Sequence, residues 1–174
     1  MPWVDEVIIG GTFDHLHQGH KALLEAVISF GSFVRVGITT EEFAKSLRRS
    51  DRHVHLMQPF DERKESLRNY LISRGCKKFE IISIEDRYGF ALSSPDAEGI
   101  VVTEETYLTA VDINKLRALD SLDQLIILVV PFVYDEKGII ISSRRIRKQL
   151  GEIDSTIEVI ERVEVENKDE MFWD

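Results

Sequence analysis

Three histidines, His15, His17 and His20, fall within six residues and follow directly on the glycine pair Gly10-Gly11. The pair closes the apolar run Val7-Ile8-Ile9, where it lets the backbone turn sharply and approach a ligand. A helix starting next would aim its free N–H groups and positive dipole end at that point, which favours phosphate. His17 and His20 are three apart at the start of this helix, so both rings can face one anion. Gly19 between them leaves room for a flat base. Zinc is the competing chemistry, since imidazole is a frequent ligand. A structural zinc site needs four ligands, however, and no cysteine lies nearby, so no residue is assigned to metal. Asp14 reads as a turn-stabilising residue.

The second candidate is Ser142-Ser143-Arg144-Arg145-Ile146-Arg147. Two serines at a helix start can cap it and offer hydroxyls to phosphate oxygens. Arg144 and Arg147, three apart, bring two planar forks suited to a triphosphate. A solvated basic helix with an ordinary serine cap is the alternative. With Lys148, these arginines concentrate positive charge in a chain of formal net charge −9. That acidic balance argues against a nucleic-acid partner, which needs clustered Lys and Arg over a wide face. A mononucleotide needs only a local concentration.

The elements that would position these residues alternate in type. Short apolar strands are expected at Val7–Ile9, Phe33–Ile38, Phe79–Ile84, Gly99–Val102 and Gln124–Val130, with Ile139–Ile141 as another. Helices are expected from Gly19 to Phe30, stopped by Gly31, and from Pro59 to Gly75, and from Glu104 to Ala118. A basic helix follows from Ser142 or Ser143 to Leu150. Thr39 and Glu42 have capping-box spacing and open a short helix to Leu47. Arg48 to Gln58 is polar and aperiodic and reads as a mobile loop.

This alternation predicts a single Rossmann-like α/β domain over residues 1–153, a parallel sheet with helices on both faces. Gln124–Val130, the most apolar strand, is expected at the centre. Ligands of such sheets bind at the carboxyl ends of the strands, where the strand order reverses. Residues 154–174 read as an acidic extension, with Ile157, Val159, Val163 and Val165 alternating as in an edge strand. Of the 174 residues 43% are hydrophobic, and Cys76 is the only cysteine. No internal disulfide, membrane span or signal peptide is expected, and the composition suits a soluble cytoplasmic protein.

Gly11-Thr12-Phe13-Asp14 followed by His17-Gln18-Gly19-His20 resembles the HxGH motif of the nucleotidyltransferase α/β-phosphodiesterase superfamily. Ile141-Ser142-Ser143-Arg144-Arg145-Ile146-Arg147 is similar to the ISSTxIR motif that closes the same active site, with Arg144 where the family usually has a hydroxyl. Gly37-Ile38-Thr39-Thr40, Arg87-Tyr88-Gly89-Phe90-Ala91 and Ile100 to Tyr107 look like the archaeal-type phosphopantetheine adenylyltransferases.

The resemblance implies the nucleotidyltransferase fold and transfer of AMP from ATP to 4′-phosphopantetheine, giving dephospho-coenzyme A and pyrophosphate. It implies His20, His17 and Lys45 as catalytic residues. Gly11, Thr12, Phe13, His17, Gly19, His20, Ser142, Ser143, Arg144 and Arg147 would bind nucleotide. Thr12 and Lys45 would hold the acceptor, with Arg87 and Tyr88 lining its arm or serving only as loop residues. Mg²⁺ would be carried by the ATP phosphates without a protein cage. A monomer is the default expectation. The alternatives are adenylyl or cytidylyl transfer to another phosphorylated small molecule, and a non-catalytic nucleotide sensor.

Overall fold

A computed structural model describes residues 2–155. Five parallel strands form one sheet in the order β3-β2-β1-β4-β5. They are β1 (Val4–Gly11), β2 (Gly31–Thr39), β3 (Phe79–Ile84), β4 (Gly99–Val102) and β5 (Ile126–Val129). The helices are α1 (Gln18–Phe30), α2 (Glu41–Ser46), α3 (Phe60–Ser73) and α4 (Tyr107–Leu119). A further helix, α5, spans 143–155.

Successive side chains of a strand point to opposite faces, so β1 feeds two cores. Val7 and Ile9 pack with Leu24 and Val27 of α1 and Leu67 and Leu71 of α3. Ile8 packs on the other face with Ala110 and Ile113 of α4. Helices therefore cover both faces, as the near-continuous apolar strands predict. Gly31 ends α1 and begins β2 at once, and any side chain there would collide with Val7. Its Cβ would lie 2.3 Å from Val7 Cγ1.

The sequence order reverses between β1 and β4, and the crevice at their carboxyl ends is the binding position of this architecture. The central strand is β1, not β5. The expectation for Gln124–Val130 is thus overturned: β5 lies at the edge, with Ile126 58% exposed. Its apolarity serves two layers, since Ile127 joins the α4 core and Leu128 the opposite one.

Two smaller expectations also change. Ile139–Ile141 makes only an isolated antiparallel bridge, Tyr134 to Ile140. The N-cap of α2 is Thr40, whose hydroxyl accepts the Phe43 N–H at 3.2 Å, while Thr39 is the buried last residue of β2. Helix α5 continues past residue 153, and the edge strand expected at 157–165 lies outside the described residues.

Candidate active site

The turn after β1 is held in an unusual backbone conformation. Phe13 (φ 53°) and His15 (φ 46°) both occupy the left-handed region, which costs a non-glycine residue about 1–3 kcal/mol. What holds the turn is Asp14 between them, which is completely buried. Its Oδ1 accepts the Gln58 N–H at 2.8 Å, its Oδ2 pairs with Arg147 at 2.6 Å, and its carbonyl accepts the Ser143 hydroxyl at 2.7 Å. One carboxylate thus ties the first motif to α5 and to the segment before α3.

His17 caps α1. Its Nδ1 accepts the Gly19 N–H at 3.0 Å, and His20 Nδ1 accepts the His17 N–H at 3.3 Å. The rings stack with centroids 3.8 Å apart. Each Nδ1 is an acceptor, so the ring proton of each neutral imidazole sits on Nε2. Neither Nε2 has a protein partner among the described residues. Burial, opposed by Asp14 and aided by His15, lowers the His17 pKa to about 4. Burial, the His17 ring and the Arg48 charge lower that of His20 to about 3. Both rings are therefore neutral N–H donors at physiological pH. A Cβ on Gly19 would stand 2.9 Å from His17 Cε1, so the paired geometry needs glycine there.

Two cavities meet at the ends of β1 and β4. The smaller, about 310 Å³, is lined by Phe13, His17, Gly19, His20 and the apolar segments Pro131–Val133 and Ile140–Ile141. The larger, about 700 Å³, holds Thr39, Arg48, Asp51, Arg87, Arg144 and Arg147. Gly11, Thr12, Glu105, Thr106, Ser142 and Ser143 line both. A recess of about 50 Å³ beside the larger one includes Arg87, Tyr88 and Phe90.

Of the residues the sequence singles out, Gly11, Thr12, Phe13, His17, Gly19, His20, Ser142 and Ser143 come together at the smaller cavity. Ser142 accepts the Arg145 N–H, and Ser143 is committed to Asp14. Arg144 is exposed on the rim of the larger cavity. Arg87 donates to the Tyr88 hydroxyl at 2.7 Å and lies 3.8 Å from Asp112.

Two residues are placed otherwise than expected. Arg147 does not extend a free fork towards a triphosphate. It is 1% exposed, with Nη1 on Asp14 and Nη2 on Asp51 at 2.7 Å, because α5 rolls that face inward. Burial pushes the Asp51 carboxyl up, but Arg147 and the His53 amide outweigh it and hold it below the usual value. Lys45 lies on the outer side of α2, 56% exposed and 3.8 Å from Glu41. It lines neither cavity.

The segment expected to be mobile, 48–58, is anchored at several points. Asp51 holds Arg147, His15 Nε2 bonds the Leu56 carbonyl at 2.8 Å, and the Gln58 side chain accepts the His15 N–H. Sequence reasoning missed its Arg48, which lines the larger cavity, and Arg63 of α3. Completely buried, Arg63 donates from Nη1 to the carbonyls of Thr12 and Thr39, both at 2.9 Å, clamping the ends of β1 and β2 together. The only local signal for these residues is an arginine among polar neighbours.

Among the described residues no group of three or more His, Cys, Asp or Glu is placed to hold a metal ion. Nor is any helix long and apolar enough to cross a membrane.

A five-stranded parallel sheet with helices on both faces and cavities at its switch point defines an α/β protein of the nucleotidyltransferase-like fold. The chain belongs to the cytidylyltransferase-like family, whose model matches residues 8–149. It is 39% identical over 150 residues to the phosphopantetheine adenylyltransferase of Methanopyrus kandleri, covering 86% of this chain and 90% of that protein. It is 42% identical over 147 residues to the bifunctional phosphopantetheine adenylyltransferase/NTP phosphatase of Thermoplasma volcanium, covering 84% of this chain and 42% of that one. A crystal structure of an Archaeoglobus fulgidus protein of unknown function superposes with a TM-score of 0.63 at 31% identity, over 79% of this chain and 99% of that one.

Proposed function

We propose that this chain transfers the adenylyl group of ATP to 4′-phosphopantetheine, forming dephospho-coenzyme A and releasing pyrophosphate. The observation that carries the reading is the pair of cavities sharing one wall at Gly11-Thr12 and Ser142-Ser143, which suits two substrates meeting phosphate to phosphate. The M. kandleri relative and the matching part of the T. volcanium relative bear the name of this activity.

ATP occupies the smaller cavity, its base against the apolar Pro131–Val133 and Ile140–Ile141 segments and its α-phosphate facing His17 and His20. The acceptor occupies the larger one, with Arg87 and Tyr88 beside its arm. An oxygen of the acceptor phosphate forms a bond to the α-phosphorus, and the bond from that phosphorus to the bridging oxygen of the β-phosphate breaks. The nucleophile comes with the substrate, so the protein's work is alignment and stabilisation of charge. The neutral Nε2–H groups of His17 and His20 donate to the α-phosphate oxygens as they gather charge, in a partly dehydrated cleft where such donors count most. No proton transfer to the imidazoles is needed.

Arg144, on the rim of the larger cavity, puts a positive charge where the family usually has a hydroxyl. Mg²⁺ brought in with ATP would shield the triphosphate charge.

The test is pyrophosphate release from ATP with 4′-phosphopantetheine, pantetheine and other phosphorylated acceptors in parallel, and from CTP. Release with ATP and phosphopantetheine alone is expected. Release with a different acceptor or with CTP would replace this reading, and ATP binding without release under any condition would make the chain a nucleotide sensor.

A further inference from the structure

With Lys45 turned outward, the larger cavity needs another cation at its junction with the nucleotide cleft, and Arg48 stands there. It follows α2, with Nη1 donating to the Ala44 carbonyl at 2.8 Å and Nη2 to Thr12 Oγ1 at 3.0 Å. A guanidinium has five N–H donors, so three remain. Its Nε, the nitrogen without a protein partner, is not sealed in the interior, and Arg48 lines the larger cavity.

Its charge is uncompensated by any carboxylate within ion-pair distance among the described residues. Of the acids near it, Asp14 and Asp51 are engaged by Arg147, and Glu105 stands beyond ion-pair distance. Burial and the Arg147 charge both press on the Arg48 guanidinium and lower its pKa, while Asp14, Asp51 and Glu105 oppose them. A half-buried cation in this position is stabilised by an arriving anion.

Thr12 completes the pattern. Its Oγ1 accepts from both Thr39 Oγ1 and Arg48 Nη2, each at 3.0 Å, so both lone pairs are used. The Thr12 hydroxyl proton is left to donate elsewhere, at the wall common to both cavities. Arg48 lines only the larger cavity and His20 only the smaller. The two donor sets therefore face each other across Thr12.

We propose that Arg48, bonded to Thr12, supplies the cation for the terminal phosphate of the acceptor, beside the threonine that the resemblance already implies there, and that Arg48 makes the site choose phosphorylated over unphosphorylated acceptors. The inference rests on the two-substrate reading above and names the residues that recognise one of the substrates.

The experiment is calorimetric binding of phosphopantetheine, pantetheine and a non-hydrolysable ATP analogue to wild type, Arg48→Lys and Arg48→Gln, with melting temperatures alongside. Loss of a charge-assisted pair of hydrogen bonds should weaken phosphopantetheine binding about 10- to 100-fold in Arg48→Gln. Arg48→Lys should fall between the two, because it keeps the charge and loses the fork. Pantetheine should bind all three alike, and the ATP analogue should change by less than about threefold. Unchanged phosphopantetheine affinity, or an equal or larger loss for the ATP analogue, would overturn the assignment.

Inorganic phosphate supplies a readout that does not depend on the proposed acceptor. It should shift the Arg48 Nε–H resonance of the folded wild type, identified by its absence from Arg48→Lys. If phosphopantetheine does not bind wild type but this shift appears, the acceptor identity fails and Arg48 stands. A resonance that ignores phosphate while the His17 or His20 signals move would remove Arg48 from the site.

Discussion

Arg147→Met separates an inward structural arginine from an outward phosphate ligand. In the wild type its side chain is 2% exposed, between Asp14 at 0% and Asp51 at 7%. Methionine fills most of the volume but leaves two buried carboxylates facing each other with no cation between them. Removing one partner from a buried ion pair costs about 3–5 kcal/mol, because the survivors stay desolvated and uncompensated. For a chain of this size each kcal/mol moves the melting temperature by about 2–4 °C, so a fall of roughly 6–20 °C is expected. Asp51→Asn should cost less than Arg147→Met, since Arg147 keeps Asp14. The assay is thermal unfolding without nucleotide, paired with ATP-analogue titration of whatever remains folded. A melting temperature within about 2 °C of wild type, with ATP affinity abolished, would refute the reasoning and return Arg147 to the triphosphate.

His20→Ala should lower turnover by about 2–4 kcal/mol of transition-state stabilisation while changing ATP affinity much less, read from single-turnover rates and direct binding. A collapse of affinity with normal turnover would make His20 a ground-state contact. Acid should destabilise the fold through the same pair. The unfolded chain protonates its imidazoles below about 6.5, whereas in the native chain His17 waits until about 4 and His20 until about 3, so the unfolded state binds more protons in that window. Between pH 6.5 and 5 the nearly buried His20 should account for up to about 2 kcal/mol and the half-exposed His17 for less. Urea midpoints of wild type and His20→Gln at both pH values isolate this loss, and an imidazole of His20 titrating near 6.5 by NMR would contradict it. Gly19→Ala should fold but push the His17 ring aside, since the new Cβ falls 2.9 Å from Cε1. Weaker ATP binding with a near-normal melting temperature is the expected pair of results, and unchanged binding would show that the ring position is not critical.

The sequence was sufficient where the physics is local. Phe79–Ile84 and Gly99–Val102 are strands with the bounds their apolar runs predict. The start of α1 next to His17 and the serine cap at Ser142 likewise follow from neighbouring residues, whereas Gly10-Gly11 stay in β1 and the turn comes at Phe13–His15. A resemblance carried by two short motifs was enough to predict the family.

Strand order was not legible. Apolar content tells how much of β5 can be buried but not which strand it pairs with, so the most apolar strand lies at the edge beside β4. Nor was the roll of α5. Arg144 and Arg147 are equivalent by spacing, yet one rims a cavity and the other is sealed between acids 133 and 96 residues away in the chain. Lys45 and Arg48 were separated in the same way, Lys45 facing outward from α2 while Arg48, just beyond that helix, reaches Thr12. Each of these outcomes depends on charges and surfaces that only the folded chain brings together. A side chain's local pattern fixes its element, while its partner, and with it the choice between structural clamp and ligand contact, is set by desolvation and long-range pairing.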